Sequence, residues 1–511
     1  MKQLSLLLFL LALASCKNPI QEPVPSVDAD LGFISMTVTG AEEAMPHFEK
    51  GMLLLHSFEY EDAAENFQKA QETDSTFYMA YWGEAMTHNH PLWREQDGET
   101  AREILSRVGK TKQGRLDKIK TKFERDLFLG AEILFADRPK TEKDMLYREH
   151  MLDLYNEYPD NHEIASLYAL SILGAVKGGR DFEANAKCAK IAQGILEENE
   201  NHPGALHYLI HSYDDPDNAH KALSAANAYA DVAPSADHAL HMPSHIFVAL
   251  GMWDEVIRSN QESYQASVDR MIKKDLDDNA RSYHAFKWLM YGHLQKGDFQ
   301  KAASIRDSMQ HYCELLPSKL ARNHLIMMNG AYYTETESWS EADMSADWDN
   351  TDLNIQVQSI DAYNKFMAST DSDQKGSYIS SLEQAIQDTE KKVRRRAEAM
   401  CSGTTSRSQA TPQNVERARV VLLELKAMQA MDSQDIPTVE KYLIEAIEKE
   451  HSTAYAYGPP EIVKPSAEMM ADWLMEQNRR EEAIVYYNQV LERNPKKRIP
   501  TIALQANKEK A

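Results

Sequence analysis

One pattern constrains this chain more than any other: a helical hairpin in which small residues and an aromatic ring hold fixed places, written once near each end. In residues 45–93, Gly51, Ala63, Phe67 and Ala70 occupy those places, and Tyr81-Trp82-Gly83 opens the next helix about 34 residues on. The small residues let two helices approach closely, and the ring fills the groove between them. A second copy runs through Ala471, Leu474, Ala483, Tyr487 and Val490 to Pro495, which ends its helix because proline has no N–H to continue the ladder. Hairpins are also readable at 147–176, 181–203 and 284–309, with turn residues between the helices and no sustained strand alternation. At 511 residues the chain is longer than one hydrophobic core usually serves, and a stack of hairpins removes that limit.

The spacing and packing residues are those of the tetratricopeptide repeat (TPR). The expected fold is all-α, a right-handed solenoid of TPR-like helical hairpins. The expected organisation is a signal segment over 1–15, a tether over 16–39 and a solenoid over 40–401. A loop follows over 402–413, rich in Ser and Thr, and then C-terminal hairpins over 414–511.

The first residues read as an address. A lysine, an apolar stretch too short to span a bilayer, and Leu13-Ala14-Ser15-Cys16 form a signal peptide ending in a lipobox. Acylation of Cys16, with palmitate-type chains, would make the membrane a partner while the body stays in water. The mean hydropathy of -0.55 excludes a polytopic membrane protein. A formal charge of -23 argues against nucleic acid, and the one compact basic run, KKVRRR at 391–396, is a solvated helix face beside acidic neighbours. Cys16, Cys188, Cys313 and Cys401 share no CxxC spacing and imply no disulfide framework.

Chemistry concentrates in residues 202–264. His207 and His211 stand four apart, and His238, His241 and His245 stand three and then four apart, so each set shares one side of a helix. First helices of successive hairpins line the inner surface of such an array, where the two sets meet. Neutral imidazoles ligate zinc, iron or copper. Asp214, Asp237 and His284 are the candidates to support or orient those rings. Pro243 either bends the second histidine helix or begins a new one. His56, His88 and His293 read as core histidines. His207-Tyr-Leu-Ile-His211 is not a zinc-protease helix, because Tyr208 replaces the required glutamate, and no GxSxG, P-loop or Rossmann fingerprint is present.

Four segments carry a wider resemblance: HYLIHSYD at 207–214, HALHMPSHIFVALGMWDEVIRSN at 238–260, NHPLW at 89–93 and YGPPEIVKPSAE at 457–468. On these the chain resembles a bacterial family of TPR lipoproteins, distantly similar to tetratricopeptide-repeat protein 38. The lipobox and polar tether are similar to lipoproteins of Bacteroidota-like bacteria. That resemblance implies the cell envelope, at the outer membrane, and a setting in polysaccharide utilisation.

Two functional readings stay open on the sequence. One is a lipid-anchored binding or assembly module that takes a protein partner or other extended ligand in a concave groove, where Tyr208, Trp253 and Trp288 supply aromatic contacts. Carbohydrate is a further occupant of such a surface. The other is a metal-dependent hydrolase or oxidoreductase built on the five histidines.

Overall fold

A computed structural model describes residues 29–508 apart from 345, 347, 400–403, 406–408 and 456–457. The signal segment, Cys16 and the first part of the tether lie outside the described residues. The fold is all-α, a solenoid of TPR-like antiparallel hairpins, each packing mainly on its neighbours in sequence. Among the described residues no helix is long and apolar enough to cross a membrane.

The repeat residues do what their spacing requires. Phe67 lies fully buried between the Met45–His56 helix and the Tyr78–Met86 helix. A Cβ on Gly51 would stand 2.7 Å from its ring, and one on Gly83 2.4 Å, so both positions are closed to larger residues. Ala483 and Tyr487 are buried in the same manner in the last repeat.

Three features depart from expectation. The tether ends earlier than residue 39: Leu31 and Ile34 are in the core, Phe33 N–H donates to the Asn201 carbonyl at 2.9 Å, and Ser235 N–H to that of Asp30 at 3.2 Å. These apolar residues line a seam between later hairpins, so the chain is already packed ahead of Gly40, the expected start of the solenoid. Within the expected 402–413 loop, Thr404–Thr405 pairs with Glu95–Asp97, which also pairs with Asn89–His90, making a small antiparallel sheet. Thr411 then caps the Pro412–Asp432 helix.

The third departure governs the site. The array coils back on itself, and both ends dock on its middle. The turn after the first helix inserts against the Pro203–Tyr213 helix and its neighbours, with Tyr229 donating to Ser57 Oγ at 3.2 Å and His238 N–H to Glu59 Oε1 at 2.9 Å. At the other end, Trp253 Nε1 donates to the Lys496 carbonyl at 3.1 Å and Arg498 N–H to Gln295 Oε1 at 2.8 Å. The 458–465 stretch enters the interior as well: Gly458, at φ 115°, lies so close to Trp288 that a Cβ would stand 2.2 Å from its ring. The inner surface around the histidines is therefore lined and partly filled by this chain's own segments.

Candidate metal centre

Each histidine is placed by ordinary helix chemistry. Pro203 opens the Pro203–Tyr213 helix, whose N-terminal cap is the His202 ring, accepting from Ala205 N–H at 3.2 Å. His207 and His211 then stand one turn apart with ring centroids 4.9 Å from each other. Pro243 starts a helix of its own: Asp237–His241 ends at His241, Met242 keeps helical dihedrals, and Pro243–Ala249 continues. The missing N–H breaks the ladder without turning the axis away, so His238, His241 and His245 still face inward. His284 arrives from the Tyr283–Lys296 helix.

The rings gather into two sets of three. His207, His211 and His238 bring one ligand atom each within 4.8 Å of the others, and so do His241, His245 and His284. Centroids of His211 and His245 lie 5.4 Å apart and those of His238 and His241 6.2 Å, so the sets are neighbours. All five sequence candidates are brought together. His284, expected to support the rings, instead completes the second set.

The hydrogen bonds behind the rings decide which nitrogen faces inward. His207 Nδ1 lies 2.8 Å from the carbonyl oxygen of His56, which can only accept, so Nδ1 carries the proton and Nε2 the lone pair. Asn260 donates its amide nitrogen to the Val256 carbonyl at 2.7 Å, which turns Oδ1 toward His241 Nδ1 at 2.7 Å and fixes that ring in the same tautomer. His211 Nδ1 and His245 Nδ1 approach Asp214 Oδ2 at 3.2 and 3.3 Å, while Arg180 Nη1 holds Oδ1 at 2.5 Å. Burial alone would raise the Asp214 carboxyl, but Arg180 and the two imidazoles hold it well below the usual carboxylate range. An ionised carboxylate only accepts, so both rings donate through Nδ1.

Four rings thus carry Nδ1 protons and direct Nε2 lone pairs inward. The consequence is sharpest at His241 and His245, whose Nε2 atoms face each other at 3.2 Å. Two lone pairs at that distance repel unless a cation stands beside them. Three nitrogens bound at about 2.0–2.1 Å to one ion lie roughly 3.3–3.5 Å apart, close to the spacing already present. The Nε2 atoms of His207 and His238 are buried and have no hydrogen-bond partner. Burial first, and neighbouring imidazoles next, keep His207, His238 and His284 far below the ordinary histidine range. For His241 and His245 burial dominates too, so these five rings are neutral at physiological pH.

A third cluster shows the opposite case. His202 Nδ1 is used as a cap, and its Nε2 stands 3.2 Å from Glu163 Oε1, an ion-pair distance. His56 Nε2 donates to Glu163 Oε2 at 2.8 Å, and Tyr208 Oη donates to His56 Nδ1 at 3.0 Å. This network holds the first helix to the His162–Gly174 and Pro203–Tyr213 helices. His56 is thus a satisfied core histidine, as expected, and its carbonyl orients His207.

Aromatic rings wall the site. Phe58, at φ 60° in the left-handed region, packs on His207 with centroids 4.3 Å apart and stacks on His238 at 5.7 Å. Trp288 stacks on His245 at 4.8 Å. Tyr208 and Trp288 are each 1% exposed, so they are core walls rather than the groove contacts expected from sequence. Trp253 is partly buried against the C-terminal turn. Asp237 also sits elsewhere than expected, paired with Glu59 behind the backbone of His238. A cleft of about 640 Å³, lined by Arg94, Lys177, Arg180, Arg417 and Tyr455 among others, opens from the surface onto His211.

Asn260, Arg180 and Phe58 were not among the sequence candidates. Asn260 closes one of the distinctive segments, but nothing local marks it as the partner of a ring nineteen residues earlier.

No family model matches the chain, and no curated protein does. Among solved structures it is similar to yeast Tom70 at 10% identity, with 88% of this chain and 93% of that one covered and a TM-score of 0.35. It is similar to the anaphase-promoting-complex tetramer Cut9–Hcn1 at 11% identity, covering 91% and 76%, with a TM-score of 0.39. A Rap protein complexed with competence and sporulation factor is 10% identical over 80% of this chain and 98% of that one, with a TM-score of 0.35.

Proposed function

We propose that this chain is a metal-dependent protein whose helical array holds transition-metal ions on inward-facing histidine Nε2 atoms. The observation that carries this is the fixed set of Nδ1 donors: an oxygen acceptor stands behind each of four rings and leaves its lone pair aimed at a common interior. Acceptors of this kind orient ligands and raise their basicity. Three nitrogen donors per ion leave a coordination position for a water or substrate, the pattern of a reactive metal rather than a purely structural one. The cleft that reaches His211 supplies a path to it. A hydrolase or oxidoreductase follows, with the fold as its scaffold.

Elemental analysis of protein prepared without chelator or nickel resin tests this directly. At least one equivalent of zinc, copper or iron is expected, lost in a His211→Ala/His241→Ala variant that keeps its helical circular dichroism. Less than a tenth of an equivalent, with no uptake on reconstitution, overturns it.

A second reading has its own observation. Ile272, Leu276, Leu315 and Leu320 are 40–70% exposed on adjoining turns, which are joined by a bond from Ser318 Oγ to Asn279 Oδ1. An apolar edge on an otherwise acidic array suits a protein partner docking on the outer surface. Ile272→Asp with Leu315→Asp is expected to abolish capture of such a partner. Unchanged capture would exclude this edge. The lipid anchor at the cell envelope rests on Leu13-Ala14-Ser15-Cys16, and loss of acylation in Cys16→Ser, read by mass spectrometry of the intact protein, is its test.

A further inference from the structure

We infer that the substrate of the metal site is a small organic acid whose carboxylate pairs with Lys287 while its reacting group lies at the His241, His245 and His284 set. The inference rests on the metal reading above and deepens it by naming the substrate class and the residue that selects it.

Position comes first. His284, Lys287 and Tyr291 fall on one face of the Tyr283–Lys296 helix, at successive turns. His284 is exposed and Lys287 only partly buried, so accessible space lies beside both. Lys287 and Tyr291 also wall a cavity of about 30 Å³, closed by Met327, Pro460 and Glu461 among others. One water needs about 10–15 Å³ of such space, so the cavity takes two oxygen-sized atoms. That is the head of a carboxylate, and it is too small for the four oxygens of a phosphate. Glu461 lines the larger cleft that opens onto His211 as well, so cleft and cavity share a wall.

Charge comes second. The hydrogen-bond partner of Lys287 Nζ is Met327 Sδ at 3.5 Å, a weak acceptor, and among the described residues no carboxylate forms an ion pair with it. The neighbouring charges are matched. Arg417 pairs with Glu461, which also accepts from Gln356, and Lys464 pairs with Asp472. Lys497 joins Glu335 and Glu468, and Arg498 reaches Glu335. Across the cleft, Arg180 pairs with both Asp214 and Asp215, while Arg94 and Lys177 are exposed, where water screens them. Lys287 is left as the cation without a partner. Burial pulls its ammonium below the ordinary lysine range, and Glu461 opposes this only in part. A substrate carboxylate in the cavity supplies the missing anion, and an ion on the adjoining histidines adds to its attraction.

Two hydroxamic acids, titrated by calorimetry into the full chain loaded with the metal it retains, test the inference. Both offer a hydroxamate to the ion. Succinic monohydroxamic acid also carries a carboxylate about 5 Å away, roughly the pitch of one helical turn, where butanohydroxamic acid has a methyl group. The carboxylate probe is expected to bind at least tenfold more tightly. In Lys287→Met, with wild-type metal content and circular dichroism, the two affinities should come within twofold of each other. Lys287→Gln provides the same comparison if the methionine variant does not fold. Equal affinities in the wild type, binding of neither probe, or a carboxylate preference that survives loss of Lys287 overturns the inference while the metal reading stands. A chain that takes up no zinc, copper or iron overturns both.

Discussion

Asn260 and Asp214 show how single residues define the site without touching an ion. Asn260 reads out the Val256 carbonyl with its amide nitrogen and so presents an oxygen to His241 Nδ1. Replacing it by leucine keeps the volume but removes the acceptor, freeing the ring to choose the other tautomer. Metal affinity in Asn260→Leu is expected to fall about 10–100-fold, the usual cost of losing such an orienting partner. Competition with a chromophoric chelator measures it, and an unchanged affinity would sink the orientation argument. A second residue-scale effect lies at the Glu59–Asp237 pair. Burial, and for Glu59 also the repulsion of Asp237, raises both carboxyls, Asp237 to about 6, with Glu61, Asp62 and Arg270 facing the pair. A folded-state value above the unfolded one means the native state holds the extra proton, so this contribution to stability is complete below about pH 4 and is lost as pH rises through about 6. Asp237→Asn cannot ionise. Its urea stability relative to wild type should therefore climb by about 1–2 kcal/mol between pH 4 and pH 7. A flat difference across that range would exclude the pair as the cause.

At the scale of elements, the glycines flanking Phe67 carry the repeat. A methyl group on Gly83 would stand 2.4 Å from the ring, and the ring is fully buried with no room to retreat. Gly83→Ala is expected to cost about 1–3 kcal/mol, as overpacking does, despite alanine's better helix propensity. Thermal melts followed by circular dichroism decide the sign; a stabilised variant would show that propensity outweighs packing here. This packing was legible in the sequence because the contacts fall at a fixed local period, as was the pairing of His207 with His211 and of His241 with His245. What the sequence did not reveal is contact across long separations. Leu31 and Ile34 carry no periodic signature and looked like tether. Thr404 and Thr405 looked like loop because their partners lie three hundred residues earlier. Phe58 and Arg180 reach the histidines only through the coiling of the whole array, and His284 joins the second histidine set for the same reason.

At the scale of the whole molecule, that coiling changes what kind of repeat protein this is. An open solenoid is stabilised by each hairpin and its neighbours, so damage at one end stays there. Here the C-terminal turn is bolted to the middle by Lys497, buried at 1% exposure, whose Nζ lies 2.5 Å from Glu335 Oε1 and 2.9 Å from Glu468 Oε2. Both carboxylates draw the Lys497 ammonium well above its ordinary range against the burial that opposes it. Removing the cation leaves two buried carboxylates facing each other, and Lys497→Met is expected to cost about 3–5 kcal/mol for that reason. The same turn accepts from Trp253, and the Arg498–Lys508 helix packs on the helix that carries His284 and Trp288. The loss should therefore spread inward: hydrogen exchange is expected to speed up in the Tyr283–Lys296 and Pro243–Ala249 helices as well as in the last hairpin. Protection lost only beyond residue 466 would show that the ends dock without coupling. Protection lost throughout the interior would show that closure of the array is what holds the histidines in place.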